Sequence, residues 1–418
     1  MISLRNYQSE AIKAMVDDYL MPGNSVVVLP QGSGKSVVIA ELAKRINGNI
    51  LILAPSIELV EQNTEKLVAV GIPREDIGEY LGSKNKHEVG KRYTIGIINS
   101  VYKTSDEFGY VDCAIIDECD LVNEEEIGMY RDFFDNHRSI KCFGLTATPY
   151  RGVIEKTRIS YDETLTETRL TVLSREGNFW KDIIYCKNVS DLTPEYLVPI
   201  EYHQRPFIYD HELKLNSNGG EYSDMSINSS FMQKGKIDQI VKTIQDAEAT
   251  YRSLIVFCSS VGICQMLSDL VPKSRYITGD TKITPKKERS EIIKDFKSGK
   301  IKTVFSVDVL SVGFNYDELE AIIFLRPTKS VRKYQQMVGR VTRKATIWTG
   351  DIFNPYFDKQ KGVLIDLTNT SRNMGEIAKM EVKKIDGQWD LLKNGEPQHG
   401  TIISAMIRNN KTGAIRRG

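Results

Sequence analysis

The octet Leu29-Pro-Gln-Gly-Ser-Gly-Lys-Ser36 limits what this chain can fold into more than any other feature. It follows an apolar run, Ser25 to Leu29, and opens an amphipathic stretch, Val37 to Arg45. An apolar strand that turns at once into a helix is a building block of parallel α/β sheets. Gly32 and Gly34 allow the backbone of that turn to curl so that successive N–H groups face one point. The helix N-terminus adds the positive end of its dipole, and together these suit phosphate oxygens. Lys35 is then placed to neutralise β- and γ-phosphates, and Ser36 to ligate Mg²⁺. Loops of this kind usually begin with glycine, where this chain has Leu29.

A second chemical element is Cys113-Ala-Ile-Ile-Asp-Glu-Cys-Asp120, an apolar strand ending in adjacent carboxylates. Acids at the carboxyl end of a strand face the crevice where ligands of open α/β sheets bind. Asp117 is suited to hold Mg²⁺ and Glu118 to position and deprotonate an attacking water. Such acids are common at turns, and the order after the phosphate loop is what gives them weight.

Strand-like runs recur between amphipathic stretches at Ser25 to Leu29, Asn49 to Ala54, Thr94 to Ile98, Cys113 to Asp117 and Lys141 to Leu145. A second series runs through Ser253 to Cys258, Arg275 to Thr278, Lys302 to Val307, Ala321 to Leu325 and Gly362 to Leu367. With 418 residues, two tandem α/β domains with parallel sheets are expected. The expected boundaries are a first domain at 1–150, an insertion and linker at 151–235, a second domain at 236–345, and its end with a C-terminal extension at 346–418. Periodicity weakens across 151–235, and Asn216 to Gly220 is a loop signal. Arg408 to Gly418 reads as a frayed, solvated terminus.

Basic and acidic residues nearly cancel, leaving +1, so any nucleic-acid contact must come from local clustering. No apolar run approaches the roughly 18 residues of a membrane span, and the N-terminus lacks a signal-peptide pattern. A cytoplasmic protein without membrane contact is expected. The six cysteines form no C-x-x-C pair and the five histidines are isolated, so buried thiols and no zinc site are expected.

Further ordered pieces are Arg5-Asn-Tyr-Gln8, Ala54-Pro-Ser-Ile-Glu-Leu59, Gly144-Leu-Thr-Ala-Thr-Pro149, Ser306 to Asn315, and Gln336-Met-Val-Gly-Arg-Val-Thr-Arg343. The last lies in a helix-forming stretch, where Arg340 and Arg343 at i and i+3 share one face.

Taken together, these motifs resemble superfamily 2 helicases and translocases, over nearly all of residues 1 to 345. The resemblance implies two RecA-like (P-loop NTPase) domains with ATP bound between them. By that similarity Arg5 and Gln8 read the adenine, and Gln31, Gly32, Ser33, Gly34, Lys35 and Ser36 hold the phosphates. Asp117 and Glu118 serve Mg²⁺ and water. Thr146 and Thr148 couple ATP to nucleic acid, and Gly313 and Asn315 touch the nucleotide. Gln336, Arg340 and Arg343 complete the catalytic set from the second domain. Ile57 and Gln336 stand where RNA helicases of the DEAD-box branch place arginine and histidine, which favours DNA. Within that superfamily the chain resembles RadD-like DNA repair helicases, but with no cysteine after Cys264 a C-terminal zinc module like theirs is not expected. It also has Asn315 where that family has aspartate.

Strand-tracking enzymes of this kind bind phosphates through loop N–H groups and hydroxyls. The corresponding candidates here are Pro55, Ser56, Gly82, Ser83, Asn99 and Ser100, with Thr278, Gly279, Asp308 and Ser311. Residues 326–344 hold seven basic side chains and no acid. The expected activity is a nucleic-acid-dependent ATPase and DNA helicase of repair or recombination, using ATP and Mg²⁺. It would act as a monomer, with a single-stranded-DNA-binding or recombination protein as partner. The alternatives are an RNA helicase, a restriction-type translocase, and a non-catalytic ATP-gated scaffold.

Overall fold

The computed structural model describes residues 2–82, 86–122, 129–137, 140–174, 178–217, 219–307, 309–310, 316–348, 356–412 and 415–417. Its contacts divide the chain into two compact units. The first comprises Met1–Tyr150, Val172–Asp191 and Glu381–Leu391; the second comprises Arg151–Thr171, Leu192–Met380 and Leu392–Gly418.

The first unit is built on β1 (Asn24–Val28), β2 (Ile50–Ala54), β3 (Ile77–Leu81), β4 (Lys86–His87), β5 (Tyr93–Ile97), β6 (Cys113–Asp117) and β7 (Lys141–Thr146). After the long strands β8 (Tyr150–Arg158) and β9 (Glu163–Val172), β10 (Trp180–Cys186) returns to its edge. The sheet order is β10-β1-β7-β6-β2-β5-β3-β4, parallel except where β4 pairs antiparallel with β3. Strands β2, β3 and β6 are buried throughout, as a sheet covered on both faces requires. The main helices are α1 (Asn6–Asp18), α2 (Lys35–Arg45) and α3 (Ile57–Ala69), followed by the shorter α4 (Ile98–Val101) and α5 (Met129–Asn136). Helix α3 starts at Ser56, whose hydroxyl accepts the Leu59 N–H at 3.3 Å as an N-cap.

Helix α6 (Val189–Leu192) spans the point in the sequence where the first unit gives way to the second. The second unit carries β11 (Ile200–Gln204), β12 (Leu254–Cys258), β13 (Ser274–Thr278), β14 (Thr303–Val307) and β15 (Ala321–Leu325). After the small hairpin β16 (Thr346–Trp348) and β17 (Tyr356–Asp358) comes β18 (Gly362–Asp366). The all-parallel order is β11-β18-β15-β12-β14-β13. Its helices are α7 (Asp224–Phe231), α8 (Lys236–Thr250), α9 (Val261–Leu270), α10 (Lys286–Lys297), α11 (Val331–Val338) and α12 (Thr370–Met374). Ser260 caps α9 by accepting the Ile263 N–H at 3.4 Å, repeating the Ser56 device of the first unit.

All ten expected strands are present to within about a residue at each end. The structure adds several. Strand β3 carries a buried acid at its centre, Glu79, which Arg74 and Lys86 each neutralise at 2.7 Å. An acid inside a strand hides it from hydrophobic pattern alone. Within the segment expected as insertion and linker, β10 joins the first sheet and β11 the second. Fully buried Trp180 anchors β10.

The expected frayed tail instead forms β22 (Ile402–Asn409) and β23 (Ile415–Arg417), preceded by β19 (Met380–Ile385), β20 (Gln388–Lys393) and β21 (Glu396–Pro397). Strand β22 pairs antiparallel with β9, in a sheet of order β23-β22-β9-β8. Among the described residues no helix is long and apolar enough to cross a membrane.

Candidate active site

Strand β1 ends in the turn that leads to α2. Gly32 and Gly34 have φ of +78° and +82°, a region costly for side-chain-bearing residues. Gly34 is also the helix N-cap, and a Cβ there would lie 2.7 Å from Gln8 Nε2. The turn therefore needs glycine both for its curl and for the approach of α1.

That approach is hydrogen-bonded. Gln8 Nε2 donates to the Ser33 carbonyl at 2.9 Å, Tyr7 hydroxyl donates to the same oxygen at 2.6 Å, and Gln8 Oε1 accepts the Arg5 N–H at 3.0 Å. The Arg5 guanidinium donates to the Tyr7 hydroxyl at 3.0 Å, and burial raises the pKa of that phenol. The Gln8 amide keeps a second hydrogen and a second lone pair for a ligand's polar edge.

Lys35 and Ser36 are both buried at the start of α2. The Lys35 ammonium lies 3.6 Å from Glu118 Oε1, and Gln31 Nε2 donates to that oxygen at 3.5 Å. Glu118 sits just past β6 with φ of +52°, a strained conformation for a residue other than glycine. Its other oxygen, Oε2, is buried without a hydrogen-bond partner. Asp117 Oδ1 accepts the Glu118 N–H at 3.1 Å. Burial, reinforced by the Glu118 charge, raises the Asp117 carboxyl to about 6 against the opposing pull of Lys35.

Two residues not expected from sequence complete the cluster, both from α3. Gln62 Nε2 donates to Ser36 Oγ at 2.6 Å, and Asn63 Nδ2 donates to Asp117 Oδ2 at 3.2 Å. Asn63 is fully buried, on the stripe Leu59-Asn63-Leu67 that α3 turns inward. A polar residue in an apolar i, i+4 stripe was the available signal.

Behind the carboxylates, the Thr146 hydroxyl donates to Asp120 Oδ1 at 2.8 Å and accepts the Thr148 N–H at 2.9 Å. The loop after β7 is thereby bonded to the turn after β6.

These residues fit a magnesium-bound nucleoside triphosphate. The glycine turn offers N–H groups, Lys35 a buried cation, Ser36 and Asp117 oxygen ligands for Mg²⁺, and Glu118 an unpartnered oxygen. When bound, the cation would screen phosphate charge. Gln31 and Lys35 hold Glu118 in place, and Asn63 orients Asp117.

In the second unit, Gln336 lies on α11, which ends at Val338, and Arg340 lies in the 3-10 turn Gly339–Val341. Both are buried. Arg343 comes after that turn, so the expected single helix face for Arg340 and Arg343 is not formed. Its guanidinium pairs instead with Asp317 at 3.0 Å, and its backbone bridges to Leu197. Burial lowers its pKa. Lys359, also buried, donates to the Asp317 carbonyl at 3.2 Å, and desolvation brings it down to about 7.

Of the expected nucleic-acid residues, Pro55 and Ser56 follow β2, and the Gly82 N–H donates to Ser100 Oγ at 3.1 Å, joining the end of β3 to α4. Asn99 and Gly279 are exposed. Thr278 is turned inward, its hydroxyl donating to the Asp280 carbonyl at 3.3 Å. Ser83, Asp308, Ser311, Gly313 and Asn315 lie outside the described residues.

Residues 1–151 match the family described as type III restriction enzyme, res subunit, and residues 235–345 match the helicase conserved C-terminal domain. The two domain matches together support a superfamily 2 helicase. The fold is two tandem RecA-like domains with parallel sheets, one in each unit. A relative named "51.5 kDa protein", from a Lactococcus phage (isolate 7-9), is 27% identical over 322 residues, covering 75% of this chain and 61% of its own length. The protein named "DNA 3'-5' translocase XPB2" of Sulfurisphaera tokodaii is 23% identical over 387 residues, covering 82% of this chain and 79% of its own. A fragment of an HsdR subunit of a type I restriction enzyme from Vibrio vulnificus YJ016 superposes with a TM-score of 0.61 at 16% identity, over 92% of this chain and 67% of that one. The chain thus spans about three fifths of the phage relative's length.

Proposed function

We propose that this protein is a DNA-stimulated ATPase that uses hydrolysis to translocate on or remodel DNA. The observation that carries this reading is the enclosed pair Lys35 and Glu118 at 3.6 Å, a phosphate-neutralising cation beside a carboxylate with an unpartnered oxygen. A scaffold that merely clamps around ATP needs the first and not the second.

In the proposed mechanism the glycine turn and Lys35 bind the phosphates, Glu118 holds the attacking water and takes its proton, and Ser36 and Asp117 ligate Mg²⁺. Arg340 and Arg343 stabilise charge developing on the transferred phosphoryl group, which in related NTPases is worth about 10³ to 10⁵ in rate. Thr146 and Thr148 pass the nucleotide state to the DNA-binding loops. The relative named as a DNA 3'-5' translocase supports DNA as the polymer. Work in repair or recombination, as in the RadD-like helicases, is the finer reading. A restriction-type translocase is the second, favoured by the restriction-subunit family matched over residues 1–151.

Steady-state ATPase with single-stranded, duplex and forked DNA and with RNA, at equal nucleotide concentration and fixed salt, tests the proposal. Stimulation by DNA is expected. Stimulation by RNA alone would replace the polymer, and a rate unchanged by any of them would remove the motor.

A further inference from the structure

The sheet β23-β22-β9-β8 has no part in the nucleotide chemistry, and its strands carry more basic than acidic residues. Residues 151–172 and 401–417 carry eight basic and four acidic side chains, an excess of four, whereas the whole chain nets +1. One face of this sheet packs inward through Thr166, Thr168, Ser404 and Met406, all buried. The Ser404 hydroxyl donates to the Gly219 carbonyl at 2.5 Å and Lys329 donates to the Ile403 carbonyl at 3.3 Å, which anchor the sheet beside the loop that follows β15.

The turn joining β8 to β9 is exposed and tied by several hydrogen bonds. It is closed by the Ile159 and Ser160 N–H groups donating to the Glu163 carbonyl at 3.1 and 3.2 Å. Arg158 donates to the carbonyls of Ser160 at 3.3 Å and Tyr161 at 3.0 Å. The opposite turn braces it: the Asn410 N–H donates to the Asp162 carbonyl at 2.7 Å, and Lys411 pairs with the Asp162 carboxylate at 3.0 Å. What this frame presents is Tyr161, with 78% of its surface exposed and the Arg158 and Lys411 cations each 5.3 Å from its ring centroid. A ring held outward in water buries little apolar surface on folding, and ordering its turn costs conformational entropy. An aromatic ring between cations on a basic sheet has the chemistry of a stacking platform for an unpaired nucleobase beside its phosphates.

We propose that Tyr161 stacks on an exposed base of single-stranded nucleic acid, with the surrounding cations drawing in the backbone. This rests on the reading that the chain binds DNA and adds a contact outside both helicase-domain matches.

The test measures binding of the full chain to a short single-stranded oligonucleotide carrying one fluorescent base, at two salt concentrations. Tyr161→Ala should weaken binding about 5- to 100-fold, and Tyr161→Trp should restore it. The fluorescent base should be quenched by wild type and by Tyr161→Trp but not by Tyr161→Ala. Melting temperature should be unchanged in both variants, since the ring is exposed. Equal binding by wild type and Tyr161→Ala would overturn the platform alone, as would a loss that Tyr161→Trp does not recover. Failure of the wild-type chain to bind any oligonucleotide would overturn the nucleic-acid reading beneath it.

Discussion

The Lys35 ammonium and the Glu118 carboxylate lie 3.6 Å apart with both side chains more than nine-tenths enclosed, so each is the other's main compensation for lost hydration. Removing one partner of a buried pair leaves an uncompensated charge and costs about 3–5 kcal/mol, while removing both is far cheaper. Lys35→Ala should therefore lose ATP binding and also destabilise the protein by about 3 kcal/mol. The double variant Lys35→Ala with Glu118→Gln should recover most of that stability and none of the activity. Denaturant unfolding of the three variants completes the cycle, and equal instability of single and double variants would show the pair to be uncoupled. Glu118→Gln alone should bind ATP while turnover falls about 10²- to 10⁴-fold.

Asp117 makes stability depend on pH in the direction opposite to a salt-bridged acid. Its folded pKa, about 6, lies above the ordinary carboxylate value near 4, so the folded state binds the extra proton between those values. Stability is greatest at the low end of that window, falls as pH rises through it, and by neutral pH has lost about 3 kcal/mol. Asp117→Asn should thus raise the melting temperature near pH 7 and leave it unchanged near pH 4. Asn63 can rotate its amide to meet the new one. A gain of equal size at both pH values would show that charge is not the cause.

Gly34 tests the contact between α1 and the phosphate turn. Alanine there meets Gln8 Nε2 at 2.7 Å and must hold φ near +82°. Gly34→Ala is expected to cost about 1–2 kcal/mol in backbone strain and to displace Gln8. The melting temperature should fall, and the preference for ATP over GTP should shrink as the amide moves. Unchanged base preference would separate Gln8 from adenine recognition.

Thr146 joins two loops through one hydroxyl, donating to Asp120 and accepting from the Thr148 N–H. Thr146→Ala removes the hydroxyl that both loops use, a cost of about 1–3 kcal/mol for a buried group that loses its hydrogen bond. DNA stimulation of the ATPase should disappear while the unstimulated rate persists, and Thr146→Ser should restore stimulation. Loss of both rates together would make the bond a support of the active site rather than a coupling element.

The parts of the site that were legible from sequence are those whose chemistry is local. The glycine turn, its lysine and the paired acids are each contiguous, and each lies where a strand ends. The role of α3 was not legible, because Gln62 and Asn63 become meaningful only when their helix packs against Ser36 and Asp117. Arg343 shows the converse: i, i+3 spacing places two residues on one face only while the helix continues, and here it ends at Val338.

Sequence by itself marked ten of the strands and a turn whose residues suit phosphate, since hydrophobic periodicity and turn residues are written in neighbouring positions. Tertiary structure decided which sheet received β10 and β11, how Glu79 is neutralised inside β3, and that the tail is a pair of strands. Glu163 stands opposite Asn409 in the ladder of β9 and β22 although 246 positions separate them. Such pairings are made largely by backbone N–H and C=O groups that nearly every residue carries alike, so only the fold can choose among them.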